Sequence, residues 1–387
     1  MLSFMRPFIA LLLSVVGFCA PSLAVAADLP GPPLPTRHEY VLRNFHTESG
    51  VVLPEARLVY GTTGTLNADR SNAVLLPSHY MANMNGYGFL VKSAAYPEGA
   101  LDPSRLFLIT TELFGNGRSS SPSNTPPPMD GPRFPVMTIR DNVEAVHQML
   151  IEELHIQHLR AVIGFSMGAQ QAFQWAVSYP TYMDRAVATS GTAKTYGHGI
   201  VRLEGQIAAL TADPAFMNGD YKIEPARGLE AFGMVWAGWL YSQEWWRKEL
   251  WRTASAPGTT FEQYMFSFRK RFNADANDYI LQARTWESND LGKTMFVDGR
   301  PATFHGNVEE ALRSIQVPFL YMPSATDLYF PLEDAKFEAT FLLHGKLTPI
   351  PSLWGHPAGA GASPADKLFL NQQIAAFLKD SSSRAAR

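Results

Sequence analysis

Cysteine is almost missing from this sequence, with one residue, Cys19, among 387. A disulfide framework is excluded, so the fold has to stand on a packed core. Charge is scarce too: 17% of residues, for a formal net charge of −3 at pH 7. No basic face recommends nucleic acid as a partner, and no acidic tail recommends a basic one. Internal repeats are missing, and the biased segment is the loop "GRSSSPSNTPPPMDGP". The apolar run from Phe8 to Phe18 is shorter than the roughly 20 residues that a spanning helix needs. What the chain has instead is apolar and aromatic residues, 46% and 12% of the total. At this length they can bury a sizeable core, as one large domain or two ordinary ones, which argues against disorder. A small or neutral ligand fits this balance best.

The N-terminus, "MLSFMRPFIALLLSVVGFCAPSLAVAADLP", carries Arg6, then the apolar stretch, then Ala24-Val25-Ala26 just before Ala27. That is the order of a secretory signal peptide over residues 1–26, with an uncleaved anchor as the bland alternative. Bulky Phe18 before Cys19 fits a lipoprotein cleavage site poorly. The expectation is a periplasmic or secreted mature chain without cysteine and without a stable membrane anchor after cleavage.

Beyond the proline-rich leader "PGPPLPTR", the segments "HEYVLRNFHTESG" and "VVLPEARLVYGTTG" read as a β-hairpin. "NAVLLPSHY" and "RLFLITTELFGNG" are short apolar runs ending in turn residues, the pattern of buried parallel strands. "TIRDNVEAVHQMLIEELHI" places Val143, Val146, Leu150 and Leu154 on one helical face, with Thr138 and Asp141 in capping-box spacing. Strand, turn and helix alternate as far as about Tyr196. From there to about Gly306 the chain is helix-leaning, with Trp236, Trp239, Trp245, Trp246 and Trp251 close together. An inserted helical cap over 196–306 follows, between core portions at 27–195 and 307–387. The tryptophans read equally as cap core or as substrate-facing. Strands resume in "VPFLYMPSATD" and "GKLTPIPSLWGH", and "SPADKLFLNQQIAAFLKD" closes the core as a helix. This alternation predicts an α/β fold with a mainly parallel sheet flanked by helices.

In "AVIGFSMGAQQAFQWAVSYP", Gly164-Phe165-Ser166-Met167-Gly168 is a G-x-S-x-G pattern. It arises by chance in roughly one chain of this size in ten, so its setting decides. Here a buried strand precedes it and an amphipathic helix follows, as required for a sharp turn that lifts a serine out of a sheet. A serine hydroxyl needs a histidine to take its proton and an acid to orient the histidine. In this architecture the chain order is serine, acid, histidine. Asp327, at the end of one strand-like run, and His356, at the end of the next, satisfy it. Glu333 and Asp334 rival Asp327, and His305 and His344 rival His356; the earlier histidines precede the serine or lie on helix faces. Acyl transfer also needs oxyanion donors, and the Met167 N–H at a helix start is one. The second is expected from "PSHYMANMNGYG", with Tyr80 preferred and His79 and Met81 as alternatives. Phe165, His79 and Met81 are the expected substrate contacts.

With those residues in view, the sequence resembles the α/β-hydrolase superfamily and, within it, the homoserine O-acetyltransferase-like branch. The resemblance runs from "FPVMTIRDNVEAVHQML" through the serine segment, resumes at "RFNADANDYILQARTWESNDLG", and ends with Asp327 and His356. It implies an α/β-hydrolase fold, a Ser166–Asp327–His356 triad, Met167 and Tyr80 at the oxyanion, and a homodimer formed through the cap. True homoserine acetyltransferases carry an aspartate directly after the histidine, to receive the substrate amine; here that residue is Pro357. The glycine pairs of the family beside the serine become Gly164-Phe165 and Gly168-Ala169, which adds bulk at Phe165.

The expected function is an exported serine hydrolase that cleaves a carboxylic ester, thioester or lactone through an acyl-enzyme on Ser166, without metal or organic cofactor. The alternative is an acyltransferase passing the acyl group to an alcohol; a third reading is a binding protein on an idle hydrolase scaffold. Pro357 and export both count against transfer.

Overall fold

Two extended segments, β1 (Thr36–His46) and β2 (Val52–Thr63), pair antiparallel with Thr36 opposite Thr62 and His46 opposite Val52. This computed structural model describes residues 29–379, so the expected signal peptide lies outside the described residues. The hairpin continues into an eight-stranded sheet with β3 (Ala73–Pro77), β4 (Phe107–Thr111), β5 (Ala161–Phe165), β6 (Ala186–Thr189), β9 (Phe319–Met322) and β10 (Gly345–Leu347), in the order β1-β2-β4-β3-β5-β6-β9-β10. The β2–β4 pair is antiparallel, and every pair beyond it is parallel.

The apolar runs of the central strands follow from burial on both faces. Ala73, Leu75, Ile109, Val162, Ala188 and Tyr321 enter one core; Val74, Leu76, Leu108, Ile163, Val187 and Leu320 enter the other. Successive side chains of a strand point to opposite faces, so a strand between two cores needs apolar residues throughout. Helices α1 (Ile139–Glu152) and α2 (Met167–Ser178) cover the first face. Helix α10 (Pro364–Lys379) covers the second with Leu370, Ile374 and Leu378. The capping box expected for α1 is present: Thr138 accepts from the Asp141 N–H, and the Asp141 carboxylate accepts from the Thr138 N–H.

Between β6 and β9 the chain passes through α3 (Gly197–Thr211), α4 (Ala226–Leu240), α5 (Gln243–Arg247), α6 (Phe261–Arg269) and α7 (Ala276–Glu287). The small antiparallel pair β7 (Phe296–Val297) and β8 (Arg300–Pro301) and the helix α8 (Val308–Arg313) follow. Helix α9 (Leu332–Ala339) links β9 to β10. No helix among the described residues is long and apolar enough to cross a membrane.

Two expectations need correction. Asp327 and His356 do not end strands: β9 stops at Met322 and β10 at Leu347. Prolines at 323, 349 and 351 have no N–H to give to a ladder. The two chains stay together irregularly past that point, the Ile350 N–H donating to the Pro323 carbonyl at 2.8 Å and the Ala325 N–H to the Ile350 carbonyl at 3.0 Å. Asp327 and His356 therefore sit on loops that these contacts hold beyond the carboxyl edge of the sheet.

Candidate active site

Strand β5 ends at Phe165, helix α2 begins at Met167, and Ser166 between them has φ 58° and ψ −123°. Such a conformation is costly for a residue with a Cβ and persists only where the surroundings enforce it. Close backbone approach is what enforces it here. A Cβ on Gly164 would stand 1.8 Å from the Gly168 carbonyl oxygen, and one on Gly168 would stand 2.3 Å from the Pro77 carbonyl oxygen. Tyr87 ties the turn to β3, donating its hydroxyl to the Pro77 carbonyl at 2.6 Å and accepting from the Phe165 N–H at 3.0 Å. The Ser166 N–H donates to the Thr189 carbonyl of β6 at 3.0 Å.

The structure brings the serine, histidine and aspartate expected from the sequence into one hydrogen-bonded chain. Ser166 Oγ lies 3.0 Å from His356 Nε2, and His356 Nδ1 lies 2.8 Å from Asp327 Oδ2. A carboxylate accepts only, so Nδ1 carries the proton of the neutral ring and Nε2 is free to accept from the serine hydroxyl. The other oxygen, Asp327 Oδ1, accepts from the N–H groups of Tyr329 at 2.8 Å and Phe330 at 3.2 Å. All three side chains are buried. The rivals are elsewhere: His305 and His344 are exposed, and Glu333 pairs with Lys336 on the surface.

The loop after β3 carries the expected oxyanion donors. The Met81 N–H is already engaged, donating to Gln282 Oε1 at 2.6 Å, which removes it as a candidate. The N–H groups of Tyr80, His79 and Met167 meet no acceptor among the described residues. Gln282, on α7, is fully buried and donates its Nε2 to the Phe114 carbonyl at 3.0 Å, so it clamps this loop to the sheet. Buried Glu112 adds a second clamp: it accepts from the Met84 N–H at 3.0 Å and from Arg118 Nε at 2.5 Å, while Arg118 also donates to the Ala82 carbonyl at 3.0 Å. Neither clamp announces itself in sequence; Gln282 falls inside the segment that carries the resemblance, but nothing local marks it.

Aromatic rings pack around the histidine. Phe165 lies edge-on to His79 and tilted against His356, with centroids 4.9 Å away in both cases. His79 is pushed down to about 3 by burial and then by His356, so it is neutral at working pH. Tyr80 stacks on Trp236 at 5.3 Å, and Trp236 meets Tyr329 edge-on at 5.0 Å. The tryptophan cluster thus divides. Trp236 stacks on Tyr80 and meets Tyr329, whereas buried Trp245 and Trp251 pack with Tyr241, Tyr264 and Phe261 of the helical segment, Trp245 also meeting Trp354 of the later loop edge-on at 5.7 Å. Among the described residues no group of three or more His, Cys, Asp or Glu could hold a metal ion.

Comparison with known proteins shows the family of the chain. Residues 91–358 match the family described as the alpha/beta hydrolase fold. The chain is 34% identical to the ethyl acetate hydrolase of Pseudomonas veronii over 83% of its own length and 90% of that protein. It is 27% identical to a homoserine O-acetyltransferase of Chlorobium chlorochromatii, over 81% of this chain and 88% of the other. The crystal structure of an acetylester hydrolase from Corynebacterium glutamicum superimposes with a TM-score of 0.82 and 29% identity, over 89% of this chain and 96% of that one. The chain belongs to the α/β hydrolase fold family. Esterases are among its close relatives, and homoserine acyltransferases are more distant ones.

Proposed function

We propose that this chain is an exported serine esterase acting on carboxylic esters with a short acyl group. The observation that carries the reading is the chain from Ser166 Oγ through His356 to Asp327, with distances of 3.0 and 2.8 Å. As Ser166 attacks the ester carbonyl, its proton passes to His356 Nε2 and an oxygen–carbon bond forms. The carbonyl oxygen takes up the negative charge against the N–H groups of Met167 and Tyr80. The alcohol leaves with the proton from His356, and a water activated by the same ring then releases the acid and restores Ser166. Asp327 holds the tautomer and stabilises the imidazolium.

Support for a short acyl group comes from the aromatic packing and from the ethyl acetate and acetyl ester hydrolases among the relatives. The segment 196–306 acts as the cap in this reading, because Trp236, Gln282 and Trp286 reach the site from it. Pro357 argues for water as acceptor, since an apolar ring offers nothing to the ammonium group of an amino-acid alcohol. Export rests on the order of residues in 1–26.

The test is hydrolysis of p-nitrophenyl acetate by the chain from Ala27 onward, beside Ser166→Ala. The expected loss is about 10³-fold or more, as for removal of a nucleophile that acts as a unit with its base. A rate retained in the variant, together with no labelling of wild-type Ser166 by a fluorophosphonate, would overturn the proposal.

A further inference from the structure

Arg202, on α3, is 3% exposed and has no carboxylate in contact among the described residues. Its Nη1 donates to Gln206 Oε1 at 3.1 Å, while Nε and Nη2 are buried without an acceptor. The guanidinium lies between two rings, 4.2 Å from the centroid of Tyr329 and 4.4 Å from that of Trp286. Burial pushes it below its ordinary value, against the opposing pull of Tyr329, Tyr80 and Asp327. A leucine or methionine would fill the same space without the cost of a desolvated charge. Packing alone gives no reason for an arginine.

Asp327 presents the complementary anomaly. Its carboxylate is closed to solvent and receives three hydrogen bonds but no direct cation. The two unpaired charges share one shell. Tyr329 gives its N–H to Asp327 Oδ1, turns its ring toward His356 at 4.8 Å, and carries Arg202 on that ring. Phe330 repeats the arrangement: its N–H also reaches Oδ1, its ring lies 5.5 Å from His356, and it stacks at 5.1 Å on Trp286, the second ring against the guanidinium.

We propose that Arg202 is the counter-charge of Asp327, a cation set across Tyr329 and Trp286 that offsets the buried carboxylate without touching it. A direct ion pair would draw guanidinium N–H groups onto the oxygens that Asp327 needs for His356 and for the turn at 329–330. Separation by one layer of rings keeps much of the attraction, because the intervening medium is poorly polarisable, and leaves Oδ2 to the histidine alone. Arg202 is a positioning residue: it touches none of the reacting atoms, and the role proposed for it is exerted on Asp327. The inference rests on the reading of Ser166, His356 and Asp327 as the reacting set.

A thermodynamic cycle in the full chain tests it without relying on turnover. Arg202→Met, Asp327→Asn and the double variant are melted at neutral pH beside the wild type. Arg202→Met is expected to lower the midpoint in the wild-type background by at least about 3 °C more than in the Asp327→Asn background. Equal shifts in both backgrounds would reduce Arg202 to a packing residue and overturn the proposal. Should Arg202→Met not fold, Arg202→Gln, which keeps a polar head, runs through the same cycle with the same two outcomes. The rate at which a fluorophosphonate labels Ser166 gives a second readout. Arg202→Lys, which keeps the charge, should stay within about threefold of wild type, and Arg202→Gln should fall about tenfold or more. Equal falls for Lys and Gln count against the charge. Absence of labelling in the wild type would strike the esterase reading instead, and the melting cycle would still decide on Arg202.

Discussion

From Ala161 to Ser178 the chain builds its part of the site out of sequence neighbours: a buried strand, a serine with positive φ, and a helix that starts at Met167 directly after it. The helical segment from Gly197 to Glu287 works differently. It supplies Arg202, Trp236, Gln282 and Trp286, no two of them adjacent, and each acts on a residue that lies elsewhere in the chain. The first region is specified by local sterics, the second by tertiary contact. Substitutions in the two should therefore fail in different ways, and the sharpest contrasts are between fold and rate.

The largest effect is expected at Gly164. An added methyl would meet the Gly168 backbone at 1.8 Å, and neither side can retreat without unmaking the turn. Gly164→Ala should cost about 3 kcal/mol or more in denaturant unfolding, with the Ser166 reactivity lost in parallel. A stable, fully reactive Gly164→Ala protein would show that the turn is not set locally.

Within the helical segment the comparison can be made between two tryptophans. Trp245 is fully buried against Tyr241, with ring centroids 3.7 Å apart; it meets Trp354 edge-on at 5.7 Å but has no ring contact with His356, Tyr80 or Phe165. Trp245→Ala should cost about 3–5 kcal/mol of stability while leaving the preference among acyl chain lengths where it was. Trp236→Leu, by contrast, removes the ring beneath Tyr80 and should shift the ratio of butyrate to acetate ester turnover by several-fold at a smaller cost in stability. A reversed pattern, selectivity moving with Trp245, would dissolve the division of the cluster.

Gln282 gives a smaller but cleaner effect. Its Oε1 holds the Met81 N–H and its Nε2 the Phe114 carbonyl, so Gln282→Leu leaves the Tyr80 turn untethered on one side. The expected result is a 10- to 100-fold fall in kcat with KM within about threefold, the signature of a contact realised in the transition state. A change confined to KM would mean that the loop shapes binding and not the oxyanion.

The same contrast explains what could be read from the chain in advance. The turn, the helix cap at Thr138 and the two-faced strands depend on residues a few positions apart, and they were legible. Chain order as well as residue type singles out Ser166, Asp327 and His356, three side chains that the fold brings into hydrogen-bond contact across a sequence separation of 190 between Ser166 and His356. The strand ends at Met322 and Leu347 do not follow from residue type, because prolines at 323, 349 and 351 lie inside otherwise strand-like runs, and only tertiary pairing decides how such a run continues. Arg202, Gln282 and Glu112 were invisible for a plainer reason. On a helix or in a loop they look like ordinary surface polar residues, and their burial is decided by what packs over them.

His79 stands where the two regions meet, one residue before Tyr80 and against Phe165, and it gives the smallest effect with a definite sign. Its value in the folded chain is about 3, against an ordinary 6.5, with burial as the main cause. Below about pH 6.5 the unfolded chain takes up a proton there that the folded chain refuses, so stability falls as pH drops through the window from 6.5 toward 3. His79→Phe has no proton to take up and lacks this dependence. Relative to their difference at pH 8, the variant should gain about 1 kcal/mol on the wild type by pH 5.5, measured by urea unfolding at the two pH values. Parallel curves would mean that His79 titrates alike in both states. Water would then reach the loop that carries Tyr80, and the two regions would not close on each other as tightly as the contacts among His79, Phe165 and His356 require.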